Sequence, residues 1–417
     1  MNNASQNRFG TDFKVEFPDF PNFTLLPRNI RLIQETGKHD ILEIAYPSFS
    51  SFYYKAIKTG VPVRVTWLNE KGKGEFIGYT YDASMTTQAT VSRNVLIRCL
   101  GSSFVLKDGG SKIWLNKTAS EIVTDIANKF KLKPVVTQSP VRFGQQSMVG
   151  HTYWEKIQEL AHRIGYVAQV VGTELHFHPM DTMIDKFVTS IPVLTYQDGD
   201  INAGSVYEAQ TLDKFKPLIG DHVEHGKNNR KNKTVTGVDP VTGKMYTSTS
   251  SPNTVGKNLR AVTKDPLFSE VVPTRMSDSP SVAKAMAEAQ AQLARWSLPA
   301  DGAGQGDPRI APYRTVEING TGDTSDGFWV ITKAEHFMTF DGRYTVTFSC
   351  VSDGTGGNKP SAFRPTKATV VPTRNIEHEL ATAPQNRPTV VKLTGQTPLL
   401  NQTNAGFKVT PRRWVGR

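Results

Sequence analysis

Two stretches decide how this chain reads: Val63-Arg64-Val65-Thr66-Trp67-Leu68-Asn69-Glu70-Lys71-Gly72-Lys73-Gly74-Glu75-Phe76-Ile77 and Val316-Glu317-Ile318-Asn319-Gly320-Thr321-Gly322-Asp323-Thr324-Ser325-Asp326-Gly327-Phe328-Trp329-Val330. Val63 and Val65 stand eleven and nine residues before Gly74, and Val316 and Ile318 stand eleven and nine before Gly327. A closing run ends each unit in a cysteine, Val95-Leu96-Ile97-Arg98-Cys99 in the first and Tyr344-Thr345-Val346-Thr347-Phe348-Ser349-Cys350 in the second. Apolar residues at every second position fit half-buried strands, and the Asn, Gly and Asp between the runs are the residues that reverse a chain between antiparallel strands. The spacing predicts two similar β-barrels in one chain. Three copies of such a subunit can close a ring of six barrels, because rotational symmetry needs only equivalent interfaces around the axis.

Working outward, 417 residues exceed what one ordinary core organises, so two or three domains are expected. Residues 1–100 read as the first β-barrel. Residues 101–185 change period and read as an α/β insert with two helices. Residues 186–355 read as the second β-barrel together with a helix over 279–297, expected to lie against one mouth or side of that barrel. The fold class is therefore α+β, mainly β. In the insert, Thr118-Ala119-Ser120-Glu121 and Thr152-Tyr153-Trp154-Glu155 both have the capping-box pattern, with threonine and glutamate three apart. Apolar stripes follow, Ile122, Ile126 and Phe130 in the first helix and Trp154, Ile157, Leu160 and Ile164 in the second, and Gly165 is the natural stop. In the later helix Pro280 falls at a first-turn position and alanines permit close packing.

Past Gly354 the pattern fades. From Gly356 to Arg417 ten basic residues face only Glu377 and Glu379, so this segment carries +8 of the formal +11. Residues 356–417 are expected to form an extended basic tail that orders against a partner, since frequent prolines and little apolar periodicity do not build a core. Within it, Arg412, Arg413 and Trp414 combine the residue types that most often anchor interfaces, and they are the expected partner-binding residues. The charge is dispersed along the tail, which favours a protein partner over nucleic acid. The polar start, Met1-Asn2-Asn3-Ala4-Ser5-Gln6-Asn7, lacks the apolar stretch of a secretory signal, and no run approaches the roughly 18 residues of a membrane span, so a soluble, cytoplasmically made chain is expected. Cys99 and Cys350 read as small buried hydrophobes.

Chemistry is sparse. His176 and His178 share a strand face near Asp181, but no third strong ligand is spaced to join them. Glu155 and Glu159 share a helix face as a glycosidase pair would, yet the capping box already accounts for Glu155. His336 reads as a satisfied barrel histidine. No nucleophile elbow, phosphate loop, zinc-protease or dinucleotide motif occurs. The expectation is no catalytic, cofactor or metal site.

Several segments together resemble the baseplate hub proteins of phage tails, including late control protein D of contractile phages and the hub part of type VI secretion spikes. They are Trp114 to Val123 with Ile126-Ala127, then Gln145-Gln146-Ser147 to Trp154 with Leu160-Ala161-His162-Arg163-Ile164-Gly165-Tyr166. They continue with Asp239-Pro240-Val241-Thr242-Gly243-Lys244, the alanine-rich helix, and Asp326 to Phe337 with its closing strand. The resemblance covers roughly residues 30–353. It implies a virion-borne, non-enzymatic homotrimer whose barrels continue the sixfold tail tube and present a threefold central spike. The implied partners are a tail tube or distal tail protein and the central spike, with baseplate wedge or tape-measure proteins as further candidates. Nucleic acid would be met only in passage through the channel. The basic tail departs from the family pattern. The rival reading comes from the insert, whose strand, two helices and strand also resemble the LysM fold. That would make the chain a peptidoglycan-binding module or a wall hydrolase component.

Overall fold

The computed structural model of the chain describes residues 12–21, 25–47, 57–87, 93–139, 142–188, 190–196, 211–217, 232–238, 243, 245–250, 269–271, 280–294, 296, 298–321 and 326–352. The first repeat contributes β1 (Asp12–Glu16), β2 (Asn29–Glu35), β3 (Ile41–Tyr46), β4 (Pro62–Asn69), β5 (Gly72–Thr87) and β6 (Arg93–Gly101). The insert follows with β7 (Lys112–Thr118), α1 (Ala119–Lys129), β8 (Lys133–Val136), β9 (Arg142–Met148), α2 (Tyr153–Ile164), β10 (Tyr166–Val171), β11 (Glu174–Pro179) and α3 (Met180–Phe187). The remainder is β12 (Val193–Thr195), β13 (Leu212–Pro217), β14 (Asn232–Val238), β15 (Met245–Ser250), β16 (Ser269–Val271), α4 (Pro280–Ala294), β17 (Leu298–Gln305), β18 (Thr315–Asn319), β19 (Gly327–Thr339) and β20 (Tyr344–Ser352).

The chain is mainly β, and its repeats share one twelve-stranded sheet in the order β1-β4-β5-β6-β3-β2-β19-β20-β17-β13, with β18 on β19 and β12 on β18. The two barrels expected from the sequence are thus fused edge to edge. β2 of the first repeat pairs antiparallel with β19 of the second, from Glu35 opposite Lys333 to Asn29 opposite Thr339. Among the described residues no strand ladder closes the first repeat, whereas in the second Thr211, just before β13, donates to Thr195 O of β12 (3.1 Å) and Thr195 N–H donates to Thr211 Oγ1 (3.0 Å), linking the two ends of the β12-β18-β19-β20-β17-β13 path.

The duplication is real, and the structure fixes its alignment. In β5 the pairing with β6 shifts between Thr80 and Asp82, and in β19 the pairing with β20 shifts between Ile331 and Lys333. These bulges lie 251 residues apart, as do Cys99 and Cys350, which sit opposite Thr80 and Ile331. On the other edge, Gly60 N–H donates to Thr80 O (2.7 Å) and Thr80 N–H to Val61 O, just as Tyr313 N–H donates to Ile331 O (2.9 Å) and Ile331 N–H to Arg314 O. Gly60 and Tyr313 both hold left-handed backbone, φ 89° and 62°, so the second repeat keeps with a tyrosine a conformation that favours glycine. Val63 and Val65 do correspond to Val316 and Ile318. Gly327, however, corresponds to Phe76 and not to Gly74, because Val63 pairs with Gly78 while Val316 pairs with Trp329. Equal spacing around a glycine located the repeat, but the hairpin from Val316 to its partner Trp329 is two residues shorter than that from Val63 to Gly78, so the equally spaced glycines are not equivalent.

Each repeat has its own core, and β19 and β20 enter both. Val316, Ile318, Trp329, Ile331, Phe348 and Cys350 pack in the second, while Ile30, Leu32, Ile44, Val63, Val65 and Cys99 pack in the first with Met338 and Tyr344 of β19 and β20 among them. Trp67 Nε1 donates to Tyr344 Oη at 3.2 Å, and Tyr344 Oη lies 2.8 Å from His336 Nδ1, all three residues being buried. Burial pushes the His336 imidazolium down to about 4, so His336 is neutral at ordinary pH, a satisfied barrel histidine. Two glycines make room for the rings: a Cβ on Gly74 would meet Trp67 at 2.0 Å and one on Gly306 would meet Tyr344 at 2.0 Å.

The helices begin as their side chains dictate. Thr118 and Thr152 each accept from the backbone of the glutamate three residues on, and each glutamate reaches back, completing both capping boxes. Gly165 closes α2 in left-handed conformation at φ 69°. A Cβ there would lie 2.5 Å from the Ala289 backbone, so the same glycine lets α4 dock against α2. α4 begins at Pro280 and packs on β14 and β15, with Val235, Ala283, Met286 and Ala287 forming one cluster. The insert is also more elaborate than one strand, two helices and one strand. β8 and β9 stand between its helices, β7 pairs with β9, and β11 lies between antiparallel β10 and parallel β8.

The Trp67–Tyr344–His336 chain generates a first prediction. Tyr344→Phe removes one hydroxyl and strands two buried polar nitrogens, so urea unfolding should show a loss of about 1–3 kcal/mol. An unchanged midpoint would show that the network contributes nothing at the junction.

Candidate interaction surfaces

The residues with chemical potential in the sequence are already committed to structural partners. Glu155 Oε2 accepts from Thr152 N–H at 2.7 Å, and this bond holds its carboxyl below the usual carboxylate range. A general acid for glycoside hydrolysis needs the opposite shift. Glu159 is committed to Lys156 at 3.0 Å and to Arg163 at 3.8 Å. His178 Nδ1 shares a 2.7 Å hydrogen bond with Thr137 Oγ1, and His176 Nε2 lies 3.3 Å from Glu174 Oε2. Burial lowers both imidazoles, His178 to about 4. Among the described residues no group of three or more His, Cys, Asp and Glu converges as a metal site would require.

What the insert does assemble is a buried polar cluster. Gln146 on β9 accepts through Oε1 from Lys156 Nζ (3.1 Å) and from Arg163 (3.0 Å), both on α2, and the Arg163 guanidinium lies 4.8 Å from the Phe143 ring centre. Lys156 and Arg163 are almost fully buried, so each cation depends on these partners. Residues that stood out together in the sequence, Gln146, Trp154, Leu160, Ala161 and Gly165, thus hold β9, α2 and α4 to one another. A positional signal existed for Gln146. Its role as the acceptor between two buried cations was not readable, because Lys156 and Arg163 look like surface residues in sequence.

Beside α1, a shallow open cleft is lined by Asn116, Lys117, Glu121, Asp125 and Arg142 among others. Its charges are paired with one another, Lys117 to Asp125 at 2.6 Å and Arg142 to Glu121 at 3.2 Å. Trp114, Tyr153 and Trp154, the aromatic residues that could form a sugar-stacking platform, are buried in the insert core. On the β7–β9 pair, Ile113 and Leu115 of β7 are exposed, Leu115 at the cleft itself.

The remaining features are edges. Among the described strands, β5 past its bulge, from Asp82 to Thr87, is paired with β6, and β13 is paired with β17. Arg412, Arg413 and Trp414, the expected partner-binding residues, lie outside the described residues, as does the whole of 356–417. No helix among the described residues is long and apolar enough to cross a membrane.

Comparison with known proteins places the fold. No protein-family model matches the chain, and no curated protein matches it by sequence. Among solved structures it is similar to the tail protein from Neisseria meningitidis MC58, with a TM-score of 0.57 and 11% identity over 84% of this chain and 98% of that one. It is also similar to the 43 kDa tail protein of prophage MuSo2 from Shewanella oneidensis, with a TM-score of 0.56 and 14% identity over 83% of this chain and 99% of that one. The fold is that of phage tail proteins.

Gln146 gives a second prediction. Gln146→Leu keeps the volume but leaves Lys156 and Arg163 short of an acceptor, so chemical unfolding should lose roughly 2–4 kcal/mol. Stability equal to the parent chain would mean that the other partners of the two cations, Glu159 among them, suffice without Gln146.

Proposed function

We propose that this chain is a structural hub of a phage tail baseplate or related contractile injection machine, a homotrimer that adapts a sixfold tail tube to a threefold central spike. The observation that carries the proposal is the internal duplication: two repeats with matching bulges, matching cysteines and matching edge hydrogen bonds, joined sheet edge to sheet edge. Three such chains supply six quasi-equivalent repeats around one axis, which is what a sixfold-to-threefold adaptor needs. The similarity in fold to tail proteins supports the same reading. Partners on this reading are a tail tube or distal tail protein on one side and the spike on the other, with wedge or tape-measure proteins possible around them. Nucleic acid would only pass through.

The role is non-enzymatic. A low-pKa capping glutamate and a doubly paired Glu159 make a poor acid and nucleophile, and the paired charges of the insert cleft offer an amino-sugar polymer no aromatic face. Purified chain that cleared cell-wall material would overturn this part of the reading. The basic segment 356–417 is proposed to dock a neighbouring baseplate or spike chain through Arg412, Arg413 and Trp414.

Two outcomes test the proposal. Native mass measurement of the assembled chain should return three copies, and a stable monomer or dimer in the assembled particle would sink the hub reading. Deleting residues 400–417 should leave the trimer intact while lowering recovery of one partner in pull-downs with tube, spike and wedge proteins. Equal recovery of every partner would make the segment a solvated extension.

A further inference from the structure

Equivalent positions of the two repeats differ in charge along one row of side chains. Carried outward from the matching bulges through the strand registers, β5, β6, β3 and β2 correspond to β19, β20, β17 and β13. On the face turned away from the cores, one row across the first repeat reads Asp82, Arg98, Glu43 and Arg31. The equivalent row across the second reads Lys333, Ser349, Asp301 and Lys216. The first row is neutral and its charges answer one another. Arg98 lies 3.5 Å from Asp82 and 3.3 Å from Glu43, and Arg31 lies 3.2 Å from Glu43 and 2.7 Å from Glu335 across the junction. Opposite charges facing each other across strands stabilise a sheet, and here they leave no charge over for a partner.

The second row lacks this closure. Lys333 stands in the place of Asp82 and Ser349 in the place of Arg98, while Asp301 accepts from Ser349 Oγ at 2.7 Å. In the next row Lys214 stands in the place of Asn29, the two facing Ala303 and Ala45. Among the described residues Lys214, Lys216 and Lys333 form no ion pair. Together with Asp301 they line one shallow hollow of about 380 Å³ on the sheet face, Lys214, Lys216 and Asp301 exposed and Lys333 half-buried. Three cations against one carboxylate give this repeat a positive field that the first repeat does not have.

We propose that the outward sheet face of the second repeat docks an acidic segment of a partner protein through Lys214, Lys216 and Lys333, and that the equivalent face of the first repeat does not. The occupant is a protein and not a nucleic acid because Asp301 stands exposed within the same hollow. A phosphate backbone carries only acceptors and is repelled there, whereas a polypeptide brings N–H and hydroxyl donors for that carboxylate beside its own acidic side chains. The site occurs once per chain. In a ring of three chains the six repeats are then alike in backbone but charged at every second one, so a threefold partner finds its register on a sixfold scaffold. That count rests on the hub reading; the docking face does not.

The test uses the full chain with two probes, a polyglutamate peptide and a single-stranded DNA of equal charge. Carbodiimide joins a carboxylate to an amine in contact with it, and it should couple the peptide to Lys214, Lys216 or Lys333 in preference to Lys73 and Lys131, exposed lysines elsewhere. Lys333→Asp with Ser349→Arg rebuilds the first-repeat row on the second, so the melting temperature should hold while peptide affinity at low salt falls roughly tenfold. Lys214→Gln with Lys216→Gln should weaken the peptide in the same direction without adding a carboxylate. Asp82→Lys with Arg98→Ser, at the equivalent positions of the first repeat, should not weaken it. The basic segment 356–417 is present in every arm and cancels from these comparisons. Coupling spread evenly over the exposed lysines, or equal affinity in parent and variants, would overturn the docking face. DNA that binds more tightly than the peptide and is lost with the same variants would assign the face to nucleic acid and overturn the protein reading. A three-copy native mass beside either failure leaves the hub intact, and a single-copy mass with coupling at the three lysines sinks the hub and leaves this face standing.

Discussion

The antiparallel pairing of β2 with β19 is the constraint on which the rest of the molecule depends. The two strands are separated by nearly 300 residues of sequence and the whole insert, yet their register decides what each core contains. With Leu32 opposite His336, the end of β19 and the start of β20 cross over the first repeat, and Met338 and Tyr344 complete its core. The buried Trp67–Tyr344–His336 hydrogen bonds then link three strands from both repeats, and Gly74 and Gly306 must lack side chains to seat two of the rings. Because side chains alternate across a sheet, a slip of one residue would turn every one of these groups to the other face. The pair Arg31 and Glu335, at 2.7 Å across the same junction on the exposed face, adds charge complementarity to a register that burial already fixes.

Fusing two repeats through one edge leaves β1 and β13 at the far ends of the described sheet. A long strand bonded on one side is a template for unwanted pairing, and proteins ordinarily cover, shorten or charge such edges. The terminal strand β13 carries Lys214 and Lys216, both exposed. Such charges discourage unspecific strand pairing there. The buried polar groups of the insert serve cohesion, as the commitment of Gln146 and Glu159 to Lys156 and Arg163 demonstrates.

The similarity in fold to tail proteins at 11–14% identity has a physical counterpart in this chain. Its own repeats keep bulge, cysteine position and edge hydrogen bonds while exchanging Gly60 for Tyr313, Leu42 for Ala300 and Leu32 for Pro217. Backbone pairing and the alternation of buried side chains preserve such a sheet through changes of nearly every residue.

Local chemistry was legible in the sequence by itself. Both capping boxes, the helical stop at Gly165, the start of α4 at Pro280, the paired β-hairpin units and the burial of Cys99 and Cys350 each depend on groups within a few residues or on simple periodicity. Tertiary structure alone decided what joins across the chain. It fused two expected barrels into one sheet, moved the repeat equivalence from the glycines to the bulges, and set α4 on β14 and β15. It also made Gln146 the acceptor for two buried cations. The reason is that strand register and helix docking are set by burial summed over distant segments, whereas a cap or a turn is set by hydrogen bonds its own residues can reach.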